Sequence, residues 1–447
     1  MAGSSISKIW ARQVYSGRGH PAVEATVVTE SGASGTAQCT AGHSVGTHEV
    51  TFAYDGGSRW NGLGVTRAVH TINTVIADAL RGADASDQKL VDHILLNIGG
   101  PGAKARLGGN AVGAVSAAAL KAGANALGIP LYRHIGGEGA VTLPCASDGA
   151  VIGSERYLPV KGGKPTYAFI AYDFGTFAEA AHAIWEISTA WSEMLCRKYG
   201  LGVKVPCPGF PSGRFAAFPK GIVRSDEELW QMMCETIARR GYEGRVGLQG
   251  DIAADSFFDA DTGTYRGLFD AVPRTRDELM AYILEFTAKY PFVIIEDPLS
   301  EDDFEGHALL TRETGIQVVG DDLFATNAER VRMGIEHGSC NVVLLKVNQI
   351  GSITEARAMV DLAYASGYGV MPCCSRGENL DICDYCVGLN AATIRESCFG
   401  TAANRFLEIE RELGPRAVFA GRAGLKGRKY GGNGGPAPEK RGTHTEL

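Results

Sequence analysis

The stretch Asn341–Ser352 reads N-V-V-L-L-K-V-N-Q-I-G-S, and the fold prediction starts from it. Its apolar run has the length and composition of a short buried strand. Lys346 stands at the end of that run, where loss of water would lower the pKa of its amine towards the range of a usable base. The alternative for a single lysine in this position is a surface side chain whose stem packs on apolar neighbours.

Three earlier segments of the chain have the same form. An apolar run precedes each of the acidic residues Asp251, Glu296 and Asp321, and Lys346 follows Asp321 by 25 residues, as Asp321 follows Glu296. That interval suits one strand and one helix. Parallel strands with functional groups at their carboxyl ends are typical of a (β/α)8 barrel, whose chemistry lies at that face.

Three carboxylates that meet at one face repel each other unless a cation lies between them. Oxygen ligands with open coordination positions indicate Mg²⁺. The alternative is that Asp251, Glu296 and Asp321 end three unrelated strands.

Three motifs then resemble the signatures of the enolase family. They are L-L-K-V-N-Q-I-G at Leu344–Gly351, I-E-D-P-L-S-E-D-D at Ile295–Asp303 and G-D-D-L-F-A-T-N at Gly320–Asn327. The resemblance implies an α/β fold, an enolase-type (β/α)8 barrel behind an N-terminal α+β capping domain. It also implies that Asp251, Glu296 and Asp321 bind the catalytic Mg²⁺, and that Lys346 removes a proton α to a carboxylate.

The resemblance covers about residues 9–414 and divides the chain into three parts. We predict a capping domain over residues 1–140, a barrel over 141–423 and a mobile tail rich in Gly and Pro over 424–447. In the family, a serine in an S-G-A-S-T-G loop of the capping domain helps to bind a second Mg²⁺. The spacing to Glu49 assigns Ser44 to the place of that serine. The literal S-G-A-S at Ser31–Ser34 is predicted to form a hairpin turn instead.

The barrel departs from the family at its acid and histidine positions. The family's Q-E-F-M glutamate falls at Ala168, a second glutamate falls near Arg214, and the histidine loop aligns poorly near Glu155 and Arg156. Alanine cannot move a proton, and arginine stays protonated.

The anion-binding positions are rearranged. The family's S-H-R-S-G-E becomes Cys373-Cys374-Ser375-Arg376-Gly377-Glu378, which assigns phosphate binding to Ser375 and Arg376. A family lysine that pairs with the substrate carboxylate falls at Arg395, which keeps the charge but presents a planar fork. The alternative is that both arginines are surface charges.

This pattern of retained and lost groups leads to a functional hypothesis. Metal ligands and base are kept, whereas the groups for dehydration are replaced, so we expect a lyase or synthase that forms a metal-bound enolate of a three-carbon phospho- or phosphono-carboxylate. The nearest family with that chemistry is carboxyphosphonoenolpyruvate synthase of phosphonate antibiotic biosynthesis, and Arg214, Arg376 and Arg395 suit so anionic a substrate. The alternatives are a phosphopyruvate hydratase and a catalytically silent binding protein.

Composition limits the class of protein. The 447 residues are 45% hydrophobic and 21% charged, with a net charge of −7, which argues against a general nucleic-acid binder. No membrane-length apolar run or signal peptide is found, so we expect no membrane partner. The eleven cysteines form no paired C-x-x-C set, which favours reduced, mostly buried thiols in a cytoplasm. The resemblance favours a homodimer or higher homo-oligomer.

Overall fold

The computed structural model describes residues 3–16, 19–42, 45–153, 156–158, 164–200, 216–373, 381–395 and 400–431. The N-terminal part is a three-stranded antiparallel sheet with helices packed on one face. Its strands are β1 (Ile6–Tyr15), β2 (Pro21–Thr29) and β3 (Ser34–Cys39). Its helices are α1 (Thr66–Thr71), which continues through a π-helical turn at Ile72–Ile76 into α2 (Ala77–Leu80), then α3 (Gln88–Asn97), α4 (Ala103–Leu107), α5 (Gly109–Leu127) and α6 (Leu131–Gly136).

Helix α5 is the centre of this domain. Small side chains let it approach the sheet closely: a Cβ added at Gly35 in β3 would lie 2.2 Å from the carbonyl oxygen of Ala118. The turn between β2 and β3 contains Ser31 and is closed by a hydrogen bond from Thr29 N to Ala33 O at 2.9 Å. The hairpin turn predicted at Ser31–Ser34 is therefore confirmed.

The second part of the chain alternates strands and helices. The strands are β4 (Thr142–Leu143), β5 (Ala146–Ile152), β6 (Thr166–Ala171), β7 (Ala216–Ala217), β8 (Val246–Asp251), β9 (Phe258–Asp259), β10 (Thr264–Tyr265), β11 (Phe292–Glu296), β12 (Gln317–Gly320), β13 (Val342–Leu345), β14 (Gly369–Pro372) and β15 (Val418–Phe419). The helices are α7 (Phe177–Tyr199), α8 (Asp226–Arg239), α9 (Arg276–Lys289), α10 (Phe304–Thr314), α11 (Ala328–His337), α12 (Val347–Ile350), α13 (Ile353–Ala365), α14 (Asp381–Gly388), α15 (Gly400–Leu413) and α16 (Gly421–Gly424).

The large sheet has the order β14-β13-β12-β11-β8-β6-β5-β7. Strands β8, β11, β12, β13 and β14 run parallel, whereas β6 is antiparallel to both of its neighbours. Single parallel bridges from Thr393 to Cys145 and from Arg395 to Cys373 join the two sides of the sheet and close it. The predicted barrel is confirmed, with one reversed strand that brings the amino end of β6 to the face where the parallel strands end.

Apolar side chains fill the barrel and the layer around it. Ile170, Val319 and Leu344 are fully buried inside the barrel, and a second, larger cluster lies between the strands and the outer helices. Side chains of this kind fill the interior of a barrel of eight strands, which is therefore a packed core and not a channel. Rigid packing beneath the strand ends fixes the positions of the residues that follow them.

Residues 425–431 do not extend away as part of a mobile tail. Leu425 is 3% exposed within the barrel cluster, and Lys426 Nζ donates to Gly367 O at 2.9 Å. Lys429 N donates to Gly315 O at 2.9 Å. The apolar Leu425 anchors this basic run against the barrel, so the prediction of a solvated tail is wrong for these residues, and residues 432–447 lie outside the described part of the chain.

The cysteines in the described residues agree with the prediction of mostly buried thiols. Eight cysteines fall in the described residues, and six of them are buried. Among the same residues no single helix is long and apolar enough to cross a membrane, and the pair α5 with Leu131–Gly139, which meets that test together, is bent by 98°.

Candidate active site

Three acidic residues lie at the carboxyl ends of adjacent parallel strands. Asp251 ends β8 and pairs in register with Glu296, which ends β11, while Asp321 directly follows β12. Their exposed fractions are 2%, 0% and 4%. Carboxylate oxygens of Glu296 and Asp321 lie within 4.8 Å of each other. Buried carboxylates this close are unfavourable without a compensating cation.

Two cationic side chains predicted from the sequence meet these carboxylates. The Lys346 ammonium, from the residue after β13, forms an ion pair with Asp321, and the Lys346 side chain is 4% exposed. Arg395, on the segment that closes the barrel, donates from Nη1 to Glu296 Oε1 at 2.7 Å and from Nη2 to Asp251 Oδ2. The alternative that Arg395 is a surface charge is wrong, because it is 6% exposed and part of this cluster.

A third cation, Lys164, was not found from the sequence. Its ammonium forms an ion pair with Asp251 Oδ2, the oxygen that Arg395 also contacts. Strand β6 is antiparallel to β8 and pairs Thr166 with Asp251, so residue 164 lies just beyond the end of β8. Only the reversed direction of β6 brings this lysine to the site, and no sequence motif marks it.

Asp297 positions Asp321 through the backbone. Its carboxylate accepts hydrogen bonds from the main-chain N–H groups of Asp321 at 2.9 Å and Asp322 at 2.8 Å. The residue adopts φ of 41°, a left-handed conformation that aspartate tolerates at a functional turn. Burial, followed by the nearby carboxylates of Asp322, Asp321 and Glu296, raises the pKa of Asp297 well above its usual range.

Gln349 connects Lys346, Asp321 and the capping domain. Its Nε2 donates to Asp321 Oδ1 at 2.8 Å, and its Oε1 accepts from Thr326 Oγ1 at 2.7 Å. Thr326 Oγ1 in turn accepts from the N–H of Lys346 at 3.0 Å. A longer bond of 3.4 Å runs from Gln349 Nε2 to Glu49 Oε1, which extends the network to the capping-domain loop.

Ala168, to which the resemblance assigns the place of a family glutamate, lies deeper in the barrel. Ala168 of β6 pairs in register with Gln249 of β8, one inward-facing layer below the pair of Thr166 and Asp251. Ala168 and Gln249 are each 2% exposed, and Gln249 Oε1 is buried without a hydrogen-bond partner among the described residues. Ala168 therefore supplies no acid at this layer.

Arg156, near which the family's histidine loop was expected, pairs with a carboxylate other than Asp251, Glu296 and Asp321. It forms a bidentate ion pair with Asp226 at 2.9 and 2.8 Å, at the start of α8. The hydroxyls of Tyr157 and Tyr167 each donate to the same carboxylate at 2.7 Å. Burial, followed by the charge of Asp226, raises the pKa of both tyrosines. Arg156 is therefore a buried anchor of its loop.

Several predicted residues lie outside the described part of the chain. They are the loop serine Ser44, Arg214 at the expected place of a family glutamate, Glu155, Cys374, and the predicted anion-binding residues Ser375 and Arg376.

Of the predicted site residues that the structure describes, it brings Asp251, Glu296, Asp321, Lys346 and Arg395 together.

The donor set fits a hard divalent cation. Oxygen ligands from Asp251, Glu296 and Asp321 match the preference of Mg²⁺, and all three lie at the carboxyl ends of the adjacent strands β8, β11 and β12. In the structure, the charges of Lys346, Arg395 and Lys164 balance the three carboxylates.

Comparison with known families covers most of the chain. Residues 6–135 match the family model "Enolase, N-terminal domain", and residues 176–427 match "Enolase, C-terminal TIM barrel domain". The chain belongs to the enolase family. Residues 136–175 lie between the two matched stretches.

Curated enolases resemble the chain along almost its whole length. An enolase from Methanopyrus kandleri is 38% identical over 431 residues, 93% of this chain and 98% of the relative. Enolases from Methanococcus maripaludis and Pyrococcus furiosus are each 37% identical, over 91% and 93% of this chain and 95% and 97% of the relatives.

These relatives correct the functional hypothesis. The expectation of a carboxyphosphonoenolpyruvate synthase in phosphonate antibiotic biosynthesis is wrong, because the whole-chain similarity is to proteins named enolase. The expectation rested on a few positions where the chain departs from the family's motifs, such as Ala168, and an identity spread over more than nine-tenths of the chain outweighs them.

Proposed function

We propose that the chain is a phosphopyruvate hydratase, which interconverts 2-phosphoglycerate and phosphoenolpyruvate with Mg²⁺ as cofactor. The observation that carries the proposal is the meeting of Asp251, Glu296 and Asp321 with Lys346 at the carboxyl ends of four adjacent strands. Proton removal α to a carboxylate needs a base beside a site that stabilises the charge that develops.

Asp251, Glu296 and Asp321 would hold the Mg²⁺ ion, which when bound supplies a positive charge that acidifies the C–H next to the substrate carboxylate. The chain's own task is to keep the three carboxylates in place. Asp297 does so for Asp321 through two main-chain N–H groups, and the strand pairing does so for Asp251 and Glu296.

Lys346 is the proposed base. The N–H of Lys346 donates to Thr326 Oγ1, and Thr326 Oγ1 donates to Gln349 Oε1. These hydrogen bonds hold the main chain of Lys346 in place, and so they set the direction from which its amine enters the site. Its ammonium faces Asp321, at the site where the substrate's α carbon would be held. Lys346 must first lose one proton to solvent, and its neutral amine Nζ then takes up the α proton while the electron pair stays on the substrate.

The lack of an acid at Ala168 lowers the rate that we expect for dehydration. Hydroxide is a poor leaving group, and a positioned acid typically accelerates such a step by about 10²–10⁴-fold. Since alanine has no proton to give, we expect slower turnover than the typical enzyme value of about 10 s⁻¹, with exchange of the α proton faster than net dehydration. A silent binding protein would show neither reaction.

The test combines two measurements on 2-phosphoglycerate with saturating Mg²⁺. Ultraviolet absorbance follows the formation of phosphoenolpyruvate, and NMR follows uptake of deuterium at the α carbon from D₂O. The proposal expects both signals in the unmodified chain and neither in Lys346→Ala. Absence of both from the folded, unmodified chain would remove the proposal in favour of the binding protein.

We further propose that the protein acts in a cytoplasm as a homodimer or higher homo-oligomer. The eleven cysteines form no paired C-x-x-C set, and six of the eight in the described residues are buried, which supports a reducing compartment. Sedimentation of the purified chain would test the oligomer, and a monomer at micromolar concentration would contradict it.

A further inference from the structure

Lys164 lies at the edge of the carboxylate cluster, in a stretch that neither matched family domain covers. The antiparallel pairing of β6 with β8 places Thr166 opposite Asp251. Two residues earlier, Lys164 reaches back to Asp251 Oδ2. The Lys164 side chain is 15% exposed, compared with 7% for Arg395, so it is the more accessible of the two cations on this oxygen.

Asp251 is a proposed metal ligand, and a divalent cation needs its oxygen. An ammonium, a guanidinium and Mg²⁺ cannot all approach Oδ2 closely, because like charges a few ångströms apart repel each other. Arg395 also binds a second carboxylate, because its Nη1 lies 2.7 Å from Glu296 Oε1. Its Nη2 lies 3.3 Å from Thr166 Oγ1. Its planar fork is fixed by these partners, whereas lysine carries a point charge on a flexible stem.

We propose that Lys164 competes with the metal for Asp251 and becomes an oxyanion-binding residue of the substrate site when the metal takes over that carboxylate. The inference rests on the proposed function only for the identity of the metal site. The released ammonium remains tethered beside the end of β8, next to the proposed metal site where a phosphate or carboxylate of the substrate would bind. Metal binding and anion binding are then coupled through one side chain, and coupling of this kind typically amounts to about 5- to 150-fold in affinity.

Calorimetric titration of the full-length chain tests the competition. Mg²⁺ alone is titrated into the unmodified protein, Lys164→Met and Lys164→Gln, and we expect about tenfold tighter binding in both variants. Far-UV circular dichroism checks that the variants are folded. Lys89→Met, which removes an exposed lysine from α3 in the capping domain, is the matched control and should leave the affinity unchanged.

A second titration tests the binding of oxyanions with Mg²⁺ present. Inorganic phosphate and glycolate are titrated separately, because they distinguish a phosphate contact from a carboxylate contact. We expect at least one of them to bind about tenfold more weakly to Lys164→Met, and Lys164→Arg, which keeps the charge, to restore most of that affinity.

Either of two results overturns the proposal: equal Mg²⁺ affinity in the unmodified protein and the folded Lys164→Met variant, or unchanged affinity for both anions. Both readouts are independent of turnover. If 2-phosphoglycerate proves not to be a substrate, the proposed function fails while the two titrations still decide the role of Lys164.

Discussion

Arg395 Nη1 lies 2.7 Å from Glu296 Oε1, and this ion pair joins the closing segment of the barrel to the end of β11. The same guanidinium contacts Asp251, so one arginine balances two carboxylates of the proposed metal site. Charge balance at the site thus depends on a residue almost 100 positions away in sequence from Glu296. The following predictions test this cluster and the anchor beside it.

Arg395→Met should destabilise the metal-free protein by about 3–5 kcal/mol, because two buried carboxylates each lose one positively charged partner. Saturating Mg²⁺ should reduce that loss, since it supplies the missing positive charge. Urea unfolding with and without Mg²⁺ measures both values. Arg81→Met, whose ion pair with Asp78 is exposed, is the control, and an equal loss in the two variants would contradict the role of Arg395.

Glu296→Gln should weaken Mg²⁺ binding by at least about tenfold, because an amide keeps the shape of the side chain but removes one negative charge from the site. Calorimetry measures the affinity directly. Glu305→Gln, at an exposed position in the first turn of α10, should leave it unchanged. Unchanged affinity in Glu296→Gln would show that the metal binds elsewhere.

Lys346→Ala should abolish deuterium uptake at the α carbon of 2-phosphoglycerate and lower turnover by about 10²–10⁴-fold or more, as expected for loss of a general base. Mg²⁺ affinity, measured by calorimetry, should not fall, because the lysine is not a metal ligand. Lys89→Ala is the control. If exchange persists in Lys346→Ala, another group is the base.

Ala168→Glu should raise turnover of 2-phosphoglycerate, because it returns a group that can carry a proton to the layer below Asp251. Ala168→Gln has nearly the same size and no acid, so it controls for the effect of filling the space. The phosphoenolpyruvate absorbance assay compares the three proteins. Equal rates in the glutamate and glutamine variants would show that the dehydration step draws its proton from elsewhere.

Asp226→Asn should cost about 3–5 kcal/mol of stability, because Arg156, 2% exposed, would remain buried without its charge partner. The Tyr157 and Tyr167 hydroxyls also donate to this carboxylate. Asp78→Asn removes an exposed carboxylate and should cost less than about 1 kcal/mol. Urea unfolding distinguishes the two, and similar losses would mean that the buried pair contributes little.

Much of the fold and half of the site could be predicted from local sequence. Each of β8, β11, β12 and β13 is a short apolar run followed by a polar group, and a buried parallel strand needs only such a run. The basic run after α16 misled the prediction, because charge and glycine suggest a solvated tail. The single apolar residue Leu425 anchors that segment in the barrel.

By itself, the sequence determined the barrel and the placement of Asp251, Glu296, Asp321 and Lys346 at strand ends, since an apolar run and the polar residue at its end are local features. The capping domain was predicted from the resemblance to the enolase family. Only the tertiary structure decided which distant charges meet the residues at these strand ends. Lys164 reaches Asp251 because β6 runs in the reverse direction, and Arg395 reaches Glu296 because the barrel closes beside it. Ion pairs between residues far apart in sequence depend on strand order and direction, and no short motif encodes either property.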